Sequence, residues 1–193
     1  SLRYFCIMKF TIQYVIILLC ACYSRNFAQS FTLGSHEFID STANLSHLYN
    51  GYDCVGKSES PSLFWQNPPK KTKSFAITLK DLNYPSNNNG WWHWIAYDIP
   101  KGKRQVPHDY GLVYVSNKRR MYGKQHISDF GTPGYGGPCP PHGNVPHHYI
   151  ITLYAIDTKS LFLDTDEDIK VTLSCIEKHT LARATLRFYA KRN

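Results

Sequence analysis

Two histidines, His93 and His147, carry the residue types in this chain best suited to holding a small polar or anionic group. His147 follows the proline-rich run Gly137-Pro138-Cys139-Pro140-Pro141-His142-Gly143-Asn144-Val145-Pro146 and precedes the apolar run Tyr149 to Ile156. His93 sits among Trp91, Trp92 and Trp94 at the start of another apolar run. A neutral imidazole donates or accepts a hydrogen bond, and its charge changes near physiological pH. A pair of them, with proline-stiffened backbone and aromatic walls, suits the oxygens of a phosphate, carboxylate or sulfate. Asp81 closes the run that begins at Ser74, where it could orient one imidazole and fix its tautomer. Trp91, placed just outside its strand, is the expected pocket wall.

The elements that would present these residues are strands. Ser74 to Asp81 alternates Phe75, Ile77 and Leu79 with Ala76, Thr78 and Lys80, the pattern of a half-buried strand. A strand over Trp92 to Ile99 puts His93, Ile95, Tyr97 and Ile99 on one face. A strand over Tyr149 to Ile156 extends a face that carries His147, Tyr149, Ile151 and Leu153. Where those faces meet, two imidazoles and a tyrosine converge.

Elsewhere, Thr165-Asp166-Glu167-Asp168 reads as a capped helix start, with Thr165 at the N-cap and Asp168 at N3. Ile169, Leu173 and Ile176 supply the apolar face of that helix. Ala184, Leu186 and Phe188 alternate as a closing strand. Lys101 to Phe130 is basic and poor in periodicity, with one short strand expected near Leu112 to Val115 and a solvated charge run at Lys118-Arg119-Arg120. Strands spread along the chain with one late helix indicate a mainly antiparallel β domain over 31–193.

Residues 1–30 differ in kind. Lys9 precedes an apolar run from Phe10 to Ala21, and Ala28-Gln29-Ser30 is a small-x-small end. This is the pattern of a secretory signal peptide, with Met8 as a candidate true start. The run is too short for the ~20 residues of a spanning helix. A lipid anchor at Cys22 is the second choice. The chain carries a formal charge of +8, and loss of residues 1–30 removes Arg3, Lys9 and Arg25 but no acid. What remains is mildly basic, without a Lys/Arg stripe or nucleic-acid motif, so nucleic acid is not an expected partner. Peripheral contact with anionic head groups is compatible with the charge.

After that cut three cysteines remain. Cys54 and Cys139 lie in glycine-rich loops and are the preferred disulfide pair in an oxidising compartment. Cys175 falls in the helix and is expected to be a free thiol. Cys139, His142, His147 and His148 are dense in donors, but lack the paired spacings of zinc motifs, so no metal is expected. No G-x-S-x-G elbow is present. A Cys139–His147 nucleophile pair and an Asp81–His93 acid–base pair leave a hydrolase as a minor alternative to a binding protein, and no cofactor is expected.

Several ordered blocks resemble the phosphatidylethanolamine-binding protein family, also called Raf kinase inhibitor protein-like, and in particular its bacterial secreted branch. They are Gly51-Tyr52-Asp53-Cys54, Ser60 to Trp65, Lys73 to Leu79, Gly90-Trp91-Trp92-His93-Trp94, Asp129-Phe130-Gly131, Gly134 to Pro141 and Pro146-His147-His148-Tyr149. The resemblance implies an antiparallel β-sandwich with Greek-key-like connections and a C-terminal helix. It implies a small pocket for phosphate-type groups, including phospholipid head groups, lined by Asp81, Trp91, His93, Pro140, His147 and Tyr149. It also implies a possible protein partner, a protease or a kinase-like protein, inhibited through the loops around the pocket and the basic tract Lys101 to Lys124. The family often has a strained peptide before the tryptophan motif, here Asn88-Asn89-Gly90. One departure stands out: the family's Asp-Pro-Asp-x-Pro turn reads Asp81-Leu82-Asn83-Tyr84-Pro85, which should make this loop less negative and less stiff.

Overall fold

The computed structural model describes residues 29–84, 90–112, 122–143 and 145–192. Nearly all of the proposed leader, the run Lys118-Arg119-Arg120, most of the expected strand at Leu112 to Val115, and Asn88-Asn89 lie outside them. Short strands β1 (Thr32–Gly34), β2 (Asn50–Gly51), β3 (Cys54–Val55) and β4 (Leu63–Gln66) come first, with a single 3-10 turn at Ile39–Ser41. Then follow β5 (Ser74–Asp81), β6 (Trp91–Pro100), β7 (Gln105–Val106), β8 (Lys124–Gln125), β9 (His147–Ile156), helix α1 (Ile169–Lys178) and β10 (Thr180–Ala190). The main sheet has five strands in the order β10-β9-β5-β6-β8; a three-stranded sheet runs β1-β4-β7, and β2 pairs with β3. Every pair among the described strands is antiparallel. No helix of the described residues is long and apolar enough to cross a membrane.

β5 is the centre of this arrangement, paired along its whole length with β9 and β6. It is buried on both faces, not half-buried as its alternation suggested. Phe75, Ile77 and Leu79 pack with Leu63, Trp65 and Val106, which belong to the three-stranded sheet. Ala76, on the other face, joins Ile95, Tyr97, Tyr154 and Ile156 under Leu161 and the helix residue Ile176. The second face is built from smaller side chains, Ala76 and Thr78, because α1 and the segment before it lie close upon it. Full burial of a side chain such as Phe75 or Ile77 contributes roughly 1.5–3 kcal/mol, and this ordered core fixes the strand ends that carry the site.

Three further expectations are corrected. The helix starts later than expected: Asp168 is the N-cap, its carboxylate accepting from the Lys170 and Val171 N–H groups. Thr165 is instead tied elsewhere, its carbonyl accepting the Ile127 N–H at 2.8 Å. Trp91 is the first residue of β6, paired with Asp81, and not outside the strand.

The third correction decides the site. The pairing of β5 with β6 slips between Leu79 and Lys80, and again between Phe75 and Ile77. The first slip leaves His93 as an extra residue between Trp92, opposite Lys80, and Trp94, opposite Leu79. The second falls around Asp98, whose φ of 57° is left-handed. Alternation is therefore broken twice. Ile95 and Tyr97 face the helix side, whereas Ile99 joins Trp94 and Ala96 on the opposite face. His93 turns to that opposite side as well, its ring 5.3 Å from that of Tyr149. Bulges of this kind re-aim a side chain.

Candidate functional site

The ends of β5, β6 and β9 form a floor. Across it, register aligns Trp91 with Asp81 and Asp81 with Tyr149. Over this floor lies a cavity of about 370 Å³ lined by Asp81, Trp91, His93, Pro140 and His147. Tyr52, Tyr84, Phe130, Cys139, Pro141 and Arg192 complete its walls. Five of the six residues expected from the sequence thus line one cavity. Tyr149, the sixth, lies buried beneath it, its ring packed between His93 and Phe188.

The Asp81 carboxylate does two things. Oδ2 accepts the Nδ1 hydrogen of His147 at 2.8 Å, and Oδ1 accepts the Asn83 N–H at 2.8 Å. Fixing the proton on Nδ1 leaves Nε2 of His147 for the cavity, an acceptor in the neutral ring and a donor in the charged one. The turn after Asp81 is firmly held despite its departure from the family pattern. Asn83 Oδ1 accepts the His148 N–H at 2.7 Å, and the Leu82 N–H, which a proline would lack, donates to the His148 carbonyl at 2.9 Å.

His93 is set by a different partner. Its Nδ1–H points at two carbonyls, Gly136 at 3.1 Å and Gly137 at 3.0 Å. Burial is the main reason its pKa falls to about 4; the Asp81 charge and the two carbonyls oppose that fall without cancelling it. Near neutral pH the ring is therefore uncharged, with Nε2 as an acceptor. The glycines are required here. A Cβ on Gly137 would collide with the His47 carbonyl, and one on Gly136 with the Phe130 ring. Tyr149 is held in its neutral phenol form, its pKa pushed up by burial first and then by the Asp81 charge. Its hydroxyl has no well-formed hydrogen bond among the described residues.

Cys54 and Cys139 are joined in a disulfide with a Cα separation of 5.9 Å, as preferred from the sequence. The bridge pins the β2–β3 hairpin, and with it Tyr52, against the Pro140-Pro141 wall. It also consumes the sulfur that a Cys139–His147 nucleophile pair would need. Cys175 is free, half-buried on α1, with a thiol pKa raised by burial.

Sequence reasoning missed Phe130, Tyr52, Tyr84 and Arg192. Phe130 stacks on Tyr49 with centroids 4.1 Å apart and meets the rings of Trp91 and His93 edge-on. It is placed by its neighbour Asp129, whose carboxylate accepts the Trp92 N–H at 2.7 Å. Its motif, Asp129-Phe130-Gly131, is one of the blocks that carry the family resemblance, but nothing local in it points to the site. Arg192 reaches the cavity because its backbone bridges to His142, with the Gly143 N–H donating to the Arg192 carbonyl. No local pattern signals that.

Comparison with known proteins agrees with this architecture. The sequence profile of the family described as phosphatidylethanolamine-binding protein matches residues 37–191, and the chain belongs to that family. It is 37% identical over 140 residues to the UPF0098 protein YbcL of Escherichia coli, covering 72% of this chain and 75% of YbcL. It is 34% identical over 140 residues to YbhB of the same organism, covering 72% of this chain and 86% of YbhB. The crystal structure of E. coli YbcL, described as a new member of the mammalian PEBP family, superposes with a TM-score of 0.78 at 32% identity, covering 84% of this chain and 99% of that one. The fold is accordingly that of the family: mainly β, with antiparallel sheets and one helix.

Proposed function

We propose that this protein is a binding protein, not an enzyme, whose cavity takes a small phosphate-type anion such as the head group of a phospholipid. In this reading the three- and five-stranded sheets are the two leaves of a β-sandwich, and the cavity opens at one end of it. The observation that carries the proposal is the convergence of His93 and His147 on one cavity beside Asp81, each imidazole held through Nδ1 so that Nε2 is left over. A neutral His93 can accept a hydrogen bond from the P–OH of a phosphomonoester, or from the ammonium of an ethanolamine head group, whose phosphodiester has no proton to give. His147 can accept in one protonation state and donate in the other. Aromatic walls at Trp91, Phe130 and Tyr84 suit the substituent that such a group carries. The volume falls within the range of cavities that hold small organic ligands, about 300–1,000 Å³.

Binding is favoured over catalysis because the sulfur of the lining residue Cys139 is bonded to Cys54 and no other described lining residue pairs a nucleophile with a base. The N-terminal pattern and the disulfide support a secreted or periplasmic setting, since disulfides persist in oxidising compartments.

The test is titration of the protein with phosphoethanolamine, followed by the imidazole NMR signals. Both His93 and His147 should shift with one binding isotherm, and His147→Ala should lose binding while keeping its fold. Silence of both rings at millimolar ligand overturns the reading. Turnover of a phosphoester that disappears in His93→Ala would overturn the choice of binding over catalysis.

A further inference from the structure

We propose that Arg192 is the cation that holds the anion in this cavity, through a guanidinium grip on two phosphoryl oxygens. The inference rests on the anion reading above and deepens it. Among the described residues lining the cavity, Arg192 is the sole lysine or arginine, and Asp81 brings a carboxylate to the same space. A phosphate-type ligand entering beside Asp81 needs positive charge, and a His93 ring held neutral by burial does not provide it.

Arg192 is poorly satisfied by the described residues. Its Nη1 faces the Tyr52 carbonyl at 3.4 Å, Cys54 Sγ at 3.1 Å and Cys139 Sγ at 3.9 Å. These are one long hydrogen bond and two soft, weak acceptors. Its Nε is buried without an acceptor among the described residues. None of the described ion pairs includes Arg192. A buried donor left unpaired is costly, so a guanidinium in this condition points to a missing acceptor. Its position is nevertheless fixed, because the Arg192 carbonyl takes the Gly143 N–H at 3.1 Å and the strand bridge to His142 aligns the backbone. A planar fork with five N–H donors matches two oxygens of a phosphoryl group, which an ammonium cannot do. The disulfide acquires a second role, since its sulfurs rest against the guanidinium and hold it at the cavity.

Calorimetric titrations with inorganic phosphate, O-phosphoethanolamine and vesicles of phosphatidylethanolamine in phosphatidylcholine test this. Wild type, Arg192→Gln, Arg192→Lys and His147→Ala are compared. Arg192→Gln should weaken the soluble probes about tenfold or more, the worth of a charge-assisted bond, and flatten their salt dependence. Arg192→Lys should fall between it and wild type. In wild type, the Arg192 Nε–H resonance should move on saturation with phosphate, a readout independent of the variants' folding. Vesicle binding that depends on Arg192 identifies a lipid source for the phosphoryl group, and binding of the soluble probes alone identifies a free one; both support the grip. An Arg192→Gln affinity within twofold of wild type, or an unmoved Nε–H signal, overturns the proposal while a weakened His147→Ala keeps the pocket. A wild type that binds none of the three probes removes the pocket reading, and this inference with it.

Discussion

Asp81 and His147 lie 66 residues apart in the chain and meet at 2.8 Å. Asp81 ends β5 and is nearly fully buried, and His147 begins the neighbouring strand β9. Antiparallel pairing of Asp81 with Tyr149 places His147 two residues beyond the partner, within diagonal reach of the carboxylate.

Replacing Asp81 by Ala should therefore do two kinds of damage. It leaves the His147 Nδ1–H and the Asn83 N–H without their acceptor, which should cost about 1–3 kcal/mol in chemical denaturation. It also frees the His147 ring to turn, and ligand titration should show weaker binding even under conditions where the variant is fully folded.

The burial of His93 predicts a pH dependence of stability. Its folded pKa of about 4 lies below the value of 6.5 for a free imidazole, so the unfolded chain binds the proton more readily. The contribution is fully present above about pH 6.5 and is lost as pH falls towards about pH 4, by roughly 3 kcal/mol. Denaturation midpoints measured across that window should drop in wild type. They should drop less in His93→Gln, and the NMR titration of His93 should be incomplete until near pH 4.

Loss of the disulfide should act on both stability and the cavity. Cys54 and Cys139 close a loop across 85 residues, and removing such a bridge typically costs about 2–5 kcal/mol. A Cys54→Ser/Cys139→Ser double variant should melt at lower temperature. Because Tyr52 and Pro140 stand on either side of the bridge, affinity for the ligand should also fall.

Asn83 offers a test of loop charge. Its side-chain oxygen accepts the His148 N–H, and an aspartate could accept the same bond. Asn83→Asp should leave the melting temperature nearly unchanged. The added negative charge near Asp81 should lower affinity for an anion several-fold at low salt, and less at high salt as screening grows.

The helix cap distinguishes two readings of one segment. Asp168→Ala removes the acceptor of the Lys170 and Val171 N–H groups and should cost about 1 kcal/mol. Thr165→Ala, at an exposed position before the helix, should cost much less in the same thermal melts.

The three long strands were legible because each is a run of apolar residues with β-branched and aromatic side chains, bounded by turn residues. What alternation could not tell was coverage: Ala76 and Thr78 read as a polar-side face until α1 and Leu161 are seen to close over it. Asp81, His93 and His147 were recognisable by their chemistry and by their place at strand ends. The reason they meet was not, since a regular β6 would have sent His93 to the side of Ile95, away from Asp81. Nor could spacing show Arg192 or Tyr52, which are carried to the cavity by a backbone bridge and a disulfide to partners far away in sequence, His142 and Cys139. Thr165 misled because its side chain and the acids after it fit a cap, while its carbonyl was committed to Ile127.

The surplus residue at His93 makes chain length part of the recognition chemistry. A strand one position shorter between Trp92 and Trp94 would pair with its neighbour without interruption and would have no place there for an imidazole turned towards Asp81. Any attempt to transplant the pocket into another sheet therefore has to import the irregularity along with the side chains.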